Sequence, residues 1–507
     1  MANEIGTASN FEDLFTKIIT FLTTNAALVM AGQQWQVLRS RRDNVLGITT
    51  NLVEPTPVVE RKIMHSFRHD ARSLNTNNTG DSTSSYTVCT GYATGFSFIS
   101  MQLRASKAVA SVSIRAPNGS TNIQNVLQNF RLQYSDDGST WTTALTVSSN
   151  PAYSINELKS FTVPGTPGSH VYWRILIDRV QGGFASGTVT WQSLLLLDSG
   201  GEIVNHFGNE VIFKATGAAG TDEIFTGIRS EYDAGNGWYN LFLNGYSGYD
   251  ANEVSWFKQP GAIPGYSSGQ AMMVPMVPCW NSAMPYWFSA SGRVFKFVVK
   301  ISTSYESGYM GFILPYATPA QYTYPLAIGG SLIPTDHARG TEWRYSYNSS
   351  LHSCFAIPAS DTPPSSEIEN ISTTLYLRTP GATWVSFGQR YSPDGSSPNA
   401  LTDMFQSMAS PYARTGLRRG VWPTSVRNTN TRRDYRDVMG GGYLLQATIL
   451  HQRWPNDAVF GELDGVFAIS GFSNASENTT VVGGKTNLVF QNISRTEIHE
   501  YLTLELG

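Results

Sequence analysis

The residues of this 507-residue chain that could do chemistry are thinly spread. His65 and His69 stand four apart with Asp70 beside them, a spacing that would set two imidazoles on one helical face and could hold zinc. That pattern alone is a weak metal signal, and surface or packing histidines are the expected reading. Asp222–Glu223 and Glu462 with Asp464 are close carboxylates. A glycosidase sets its two carboxylates across a sugar, about 5–10 Å apart. Adjacent residues of a strand point to opposite faces, which argues against Asp222 and Glu223 sharing a reaction. No GxSxG, HExxH or Walker pattern occurs. Cys89, Cys279 and Cys354 are far apart and odd in number, so they are expected as buried thiols of a protein folded in a reducing cytoplasm. The chain is therefore expected to be no enzyme, with no catalytic residue, metal or cofactor.

Aromatic and arginine clusters are the stronger signals. Trp238, Tyr239, Tyr246 and Tyr249 crowd one segment, followed by Trp256 and Phe257, and Trp280, Tyr286, Trp287 and Phe288 crowd another. Aromatic faces stack on sugar rings and anchor protein interfaces. Trp238, Tyr239, Tyr246, Tyr249, Trp280 and Trp287 are the candidates for such a role, with packing in a β-sandwich core as the open alternative. Seven arginines lie between Arg414 and Arg436, with Trp422 and Tyr435 among them. Guanidinium groups fork onto carboxylates of a partner, so Arg418, Arg419, Trp422, Arg432, Arg433 and Tyr435 are candidates for an intersubunit contact. A solvated loop is the alternative. The net charge of −3 supplies no global field to draw in nucleic acid.

These side chains must be positioned by β-structure. Charged residues make up 14% of the chain, against a usual quarter or so, while Gly, Ser, Thr and Asn are abundant. Such a composition suits many turns and wide uncharged surfaces. One helix is expected between Ser9 and Gly32, where Phe11, Leu14, Phe15, Ile18 and Leu22 form an apolar stripe and Ser9 with Glu12 has capping-box spacing. The run Ile18–Ala31 is too short and too polar to span a bilayer. A strand is expected within Gln33–Asp43. Short alternating strands follow, among them Phe96–Leu103, Ala110–Ala116, Phe130–Tyr134 and Val171–Ile177, with a turn at Asp136-Asp137-Gly138-Ser139. Glu210–Thr216, Asp222–Tyr232, Gly237–Leu243, Val294–Ser302 and Tyr443–Leu450 continue the pattern. The fold class expected is mainly β: multidomain β-sandwich and jelly roll with a short N-terminal helix. The expected division is a helix-plus-strand docking element over 1–58, a jelly roll over 59–200 and a β-sandwich-rich region over 201–507, with up to two subdomains in the last.

Phe130-Arg131-Leu132-Gln133-Tyr134-Ser135-Asp136-Asp137-Gly138-Ser139-Thr140-Trp141, followed by Tyr172-Trp173-Arg174-Ile175, resembles the hairpin and later strand of the discoidin (coagulation factor 5/8 C-type, galactose-binding-like) family. The resemblance covers roughly a quarter of the chain. It implies an eight-stranded jelly roll, a form in which many members bind glycans or lipid headgroups through loops at one end. The family's terminal cysteine pair and an acidic calcium loop are absent.

Ala219–Gly227, Trp238–Leu241, Cys279–Phe288, Gly308–Tyr316, Tyr324–Gly330 and Leu463–Thr486 are similar in texture to tail-region virion proteins of phages. This second resemblance implies a structural component of a tailed-phage virion, in the tail, baseplate or tail-fibre assembly, with weak host-glycan binding through the jelly roll. A neck or collar protein, or the carbohydrate-binding module of a depolymerase, are the alternatives. The partners so implied are copies of the chain, other virion proteins and a host cell-surface glycan, without nucleic acid or membrane insertion. The place implied is the virion, after synthesis in the host cytoplasm without a signal peptide.

Overall fold

A computed structural model describes residues 1–51, 87–93, 98–117, 123–263 apart from 166, 184–185, 192, 234–237 and 254, 274–330 apart from 303, 375–387, 419–422, 445–452, 458–469, 477–491 and 501–507. The chain is mainly β, as its composition predicts, with antiparallel sheets and a short N-terminal helical segment.

Three sheets stack to form the body. The central sheet has seven strands in the order Ala2–Ala8, Met284–Ala290, Val294–Ile301, Ser304–Phe312, Leu326–Gly329, Leu375–Arg378, Trp384–Phe387. Alternate residues of its strands enter two different cores. Phe295, Phe297 and Val299 face one, and Val294 and Val298 face the other. Burial on both faces explains why VFKFVVKI reads as a nearly continuous apolar run, a pattern more usual in parallel sheets. The odd member, Lys296, is fully buried, and its Nζ donates to the Asp464 carbonyl at 2.8 Å.

On one side lies a five-stranded sheet, in the order Met276–Cys279, Trp238–Tyr246, Ile224–Asp233, Glu210–Ala215, Gln36–Arg41. The two sheets approach so closely that a Cβ on Gly245 would sit 2.8 Å from Ile328 and Leu326 side-chain atoms. On the other side lies a second seven-stranded sheet, containing Arg419–Trp422, Gln446–Gln452, Ala458–Ile469, Tyr501–Glu505, Lys485–Gln491 and Thr479–Val482, with Leu314–Pro315 paired to its long strand.

Helix α1 (Phe11–Thr24) packs against both sheets of the first core. Phe11 meets Tyr239 at 4.9 Å between ring centroids, and Phe21 meets Phe288 at 5.4 Å. Phe11, Leu14, Phe15, Ile18, Phe21 and Leu22 are all buried there. This differs from the docking element expected over 1–58. The Ala2–Ala8 strand pairs with Met284–Ala290 and Gln36–Arg41 pairs with Glu210–Ala215, so the stripe is covered by the chain's own sheets. The cap also falls one residue later than expected. Asn10 Oδ1 accepts from Asp13 N–H, and the Asp13 carboxylate accepts from Ser9 N–H, because asparagine caps as well as serine does. The helix breaks at Asn25 and continues as α2 (Ala26–Met30) before Gly32, at φ +64°, ends it. Phe11–Met30 is long and apolar enough by length and composition to be a candidate span, yet its stripe belongs to the body's core.

The jelly roll begins earlier than residue 59, at the strand Val45–Asn51. Its five-stranded sheet runs Val45–Asn51, Phe98–Lys107, His170–Val180, Leu127–Ser135, Thr142–Val147. Facing it are Ser193–Leu197, Ser111–Arg115 and Leu158–Thr162, with Ser186–Trp191 paired to Thr87–Ala93. Phe130, Leu132, Trp173, Ile175, Ile177, Leu194 and Leu196 fill a core of its own. The module is inserted between two adjacent antiparallel strands of the body, since Arg41 lies opposite Glu210. Replacing residues 42–209 by an Asn-Gly turn is therefore expected to leave a body that unfolds cooperatively in denaturant. A collapsed or aggregating product would mean that the body needs the insertion to fold.

Candidate functional site on the jelly roll

The hairpin between Leu127–Ser135 and Thr142–Val147 is held by its own polar side chains. Asp137 Oδ1 accepts from the backbone N–H of Thr140 at 2.7 Å and of Ser139 at 2.8 Å, and from Ser135 Oγ at 2.8 Å. These hydrogen bonds hold its carboxyl well below the usual carboxylate range. Gly138 adopts φ +71°, and a Cβ there would come within 3.3 Å of the Tyr172 ring. A glycine is needed both for the turn and for this contact. Trp141 follows this turn.

Register then assembles a platform on the outer face of the five-stranded sheet. Arg174 pairs with Gln133, and Gln133 pairs with Thr143. Trp173 and Ile175 point into the core, so Arg174 points outward. Its Cζ lies 4.1 Å from the Trp141 ring centroid and 5.0 Å from that of Phe98. Its Nε donates to Gln133 Oε1 at 2.7 Å, and Gln133 Nε2 donates in turn to Thr143 Oγ1 at 2.9 Å. Burial, and secondarily the nearby Arg131, lower the Arg174 guanidinium to about 10. Arg131 itself is engaged by Asp178 through two contacts, 3.1 and 2.9 Å. Trp141, Phe98 and Arg174 are all half-buried. The Trp141 ring thus keeps part of its surface exposed beside the guanidinium. A flat ring beside a guanidinium held in place by the buried Gln133 is an arrangement suited to a sugar, through stacking on its C–H face and donation to its hydroxyls. At the adjoining end of the module His170 stacks on Tyr134 at 3.8 Å and its Nδ1 lies 2.9 Å from Asp136 Oδ1.

The base of the module carries two charged groupings. In the first, Glu210 is fully buried between Arg39 (2.9 Å), Arg229 (3.1 Å) and Arg41 (3.3 Å). His206 is buried beside them, and burial holds its imidazole down at about 3, so it is neutral. In the second, Arg104 contacts Asp43 at 3.0 Å and the Tyr232 hydroxyl at 2.5 Å, while Tyr232 donates to Asp43 at 2.7 Å. A cleft of about 420 Å³ opens here between Asn10, Glu12 and Thr16 of the α1 end and Arg42, Asp43 and Arg104 of the module's base. Its polar groups largely engage one another, Arg42 with Thr16 and Arg104 with Glu12 included, which suits a clamp between module and body.

The aromatic residues singled out by sequence are dispersed. Tyr239 and Tyr246 are buried in the core beside α1, Tyr249 packs partly buried against it, and Trp287 is buried in the core on the far side of the central sheet. Only Trp280 of the described members keeps substantial exposure, at 41%. Trp238 opens the strand Trp238–Tyr246. Buried rings cannot stack on a sugar, and these were marked by residue type in strands whose two faces are both covered. Arg419 and Trp422 bound the strand Arg419–Trp422. Arg418, Arg432, Arg433, Tyr435, His65, His69, Asp70 and Cys354 lie outside the described residues. Cys279 is a buried free thiol, raised by burial. Of the carboxylates, Glu223 pairs with Lys214 and Glu462 accepts from Tyr316 at 2.9 Å. Asp464 offers its backbone to Lys296 and Tyr309. Sequence reasoning quoted Trp141, Gln133 and Arg174 as marks of a fold. The signal that they form a site lay in the outward parity of Arg174 along VYWRILI.

No family model matches this chain. No curated protein matches it either. Among solved structures it is similar to a CBM32 module of Clostridium perfringens in complex with GalNAc-β-1,3-galactose, with 12% identity over 31% of this chain and 97% of that one, at a TM-score of 0.20. It is similar also to the CBM32 of AlyQ in complex with 4,5-unsaturated mannuronic acid, with 14% identity over 31% of this chain and 99% of that one, at a TM-score of 0.21. A third is an F5/8 type C domain from Bacteroides fragilis, with 10% identity over 32% and 95%, at a TM-score of 0.21.

Proposed function

We propose that this chain is a non-catalytic structural component of a tailed-phage virion, in its tail, baseplate or fibre region, whose inserted jelly roll binds a host cell-surface glycan. The observation that carries the glycan part is the half-buried Trp141–Arg174 pair, turned away from the module's core and oriented by the buried Gln133. The body supports the structural part: three stacked sheets leave their interior to packing and hold the module on two adjacent strands.

Trp141→Ala is expected to weaken binding of the full chain to its host's surface polysaccharide about tenfold, the effect of losing one stacked ring. Trp141→Phe should restore most of it, and the melting temperature of both variants reports whether the hairpin survives. Folded Trp141→Ala protein that binds as tightly as the native chain would overturn the glycan reading. Immunogold micrographs of phage particles test the other half, and label absent from every part of the tail would refute it.

A further inference from the structure

The Ala2–Ala8 strand closes one edge of the central sheet, and among the described residues Met284–Ala290 is its only strand neighbour. In an antiparallel ladder alternate residues turn both backbone groups to the same side. Every second residue of Ala2–Ala8 therefore presents an N–H and a C=O away from Met284–Ala290. Among the described residues no further main-chain hydrogen bond reaches residues 3–7. Ile5 is 58% exposed, and Asn3 and Thr7 on the same face of the strand are exposed with it. Proteins commonly guard such an edge with a proline, a bulge or charged side chains. The edges of the adjoining five-stranded sheet follow this rule: Met276–Cys279 carries Pro278, and Gln36–Arg41 carries two arginines and a register shift. Ala2–Ala8 has no proline, an unbroken register and a single charge. That charge is occupied on the core side, where the Tyr286 hydroxyl donates to Glu4 Oε1 at 2.6 Å.

We infer that a second copy of this chain pairs with this edge, antiparallel to the first across a twofold axis at Ile5. The sequence of the strand selects a copy as its occupant. Ile5 is the midpoint of ANEIGTA, so all seven residues pair. Ile5 then lies opposite Ile5 of the second copy, Asn3 opposite its Thr7, and Glu4 opposite its Gly6. The exposed apolar side chain is covered by its equal, short polar side chains meet, and each carboxylate faces a residue with no side chain. An axis at Glu4 would instead set like charges directly opposite, which is unfavourable. The contact uses the same patch on both copies, so it closes at two and gives a dimer rather than a fibre. One sheet would run through both bodies.

Sedimentation equilibrium of the full chain over a concentration series tests this. The native chain should be a dimer that dissociates on dilution. Ile5→Lys should weaken it about tenfold, because two ammonium groups would then stand opposite each other, and Ile5→Glu should do the same. An equimolar mixture of the two variants should regain the dimer, since the axis would set opposite charges together. Melting temperatures close to native are expected, as the substituted side chain is exposed. Ile5→Cys gives an independent reading: directly opposite Cβ atoms stand about 4.5–5.5 Å apart, so this variant should crosslink on oxidation beyond the level of the native chain. A native chain that stays monomeric at every concentration would overturn the inference, whether the edge is then solvated or takes a strand of another protein. A dimer that Ile5→Lys leaves at native strength would place the contact elsewhere and overturn it too. So would folded lysine and glutamate variants that fail to associate with each other, or an Ile5→Cys dimer that does not crosslink.

Discussion

Replacing Glu210 by glutamine is expected to destabilise the protein by about 3–5 kcal/mol, the cost of stranding buried charges whose partner has been removed. Three guanidinium groups converge on this one carboxylate, and the side chains of Glu210 and Arg229 are 1% and 3% exposed. Neither water nor salt can stand in for it. Arg39 and Arg229 are also tied to the carbonyls of Glu253 and Phe207, so they cannot swing out to solvent without breaking further bonds. Burial pushes the Glu210 carboxyl up, but Arg39, with Arg229 and Arg41, outweighs it, leaving it below its ordinary value. A carboxyl held lower in the folded state contributes stability above its unfolded value, and loses it as pH falls through the folded one. His206 adds to this acid sensitivity. From its ordinary 6.5 down to about 3 the unfolded chain takes up a proton that the buried imidazole refuses, so stability declines as pH falls across that window. Urea denaturation at pH 7 measures the first effect, and the same series carried down to pH 4 measures the second. A Glu210→Gln variant within 1 kcal/mol of native, on the order of a surface change, would show that the three arginines do not depend on the carboxylate.

Raising the pH from 8 to 9.5 is expected to stabilise the native protein by about 1 kcal/mol, and Lys296→Met should turn that rise into a slight fall. The rise is a gain of about 2 kcal/mol from Lys296 less an opposing loss from the buried Cys279 thiol, which ionises first in the unfolded chain. Lys296 is wholly inside the stack between the central and far sheets, with the Asp464 carbonyl at 2.8 Å and the Met1 sulfur at 3.3 Å. Burial lowers its ammonium to about 8, against the opposing pull of Asp464 and Glu505 and with some help from Lys485. Between that value and 10.5 the unfolded chain keeps a proton that the folded chain has released. Stability therefore climbs with pH there, by at most about 1.4 kcal/mol per pH step. Above pH 10 the sign reverses. Tyr153, Tyr322 and Tyr324 are all raised by burial, so they ionise first in the unfolded chain. The comparison should therefore stop near 9.5. A native protein whose stability falls over this range as steeply as that of Lys296→Met would mean that Lys296 keeps its charge in the core.

Local pattern made much of the fold legible. Alternation placed the strands near Phe130–Tyr134, Val171–Ile177 and Glu210–Thr216, and the Asp-Asp-Gly turn fixed the hairpin that positions Trp141. The Ala2–Ala8 strand was not legible. ANEIGTA has little apolar alternation, and its partner Met284–Ala290 lies hundreds of residues away. The same distance hid what covers the α1 stripe, which looked like a surface awaiting a neighbour. The buried Glu210 cluster gathers residues from three strands, and nothing local to Arg39 or Arg229 announces it. Tyr239, Tyr246 and Trp287 were singled out by type, whereas the sheets around them decide whether a ring reaches water. At the platform the residues were in view, but their meeting depends on registers between three strands, which a linear reading does not supply.

The insertion of the jelly roll between neighbouring antiparallel strands has a mechanical meaning. Both connections leave the body at the same end of the pair, so a pull on the module would not shear the strands past one another. It would open them like a zipper, beginning where Arg41 faces Glu210 and moving on to Ser40 and Val211. Opening one rung at a time is the weak direction for a β pair, since each step breaks few bonds together. The body answers by setting its most tightly knit charges at that first rung, where three guanidiniums grip one carboxylate out of reach of solvent. A pull on the module therefore meets its resistance at the point where tearing starts, and survival under load is governed by the barrier to that first opening.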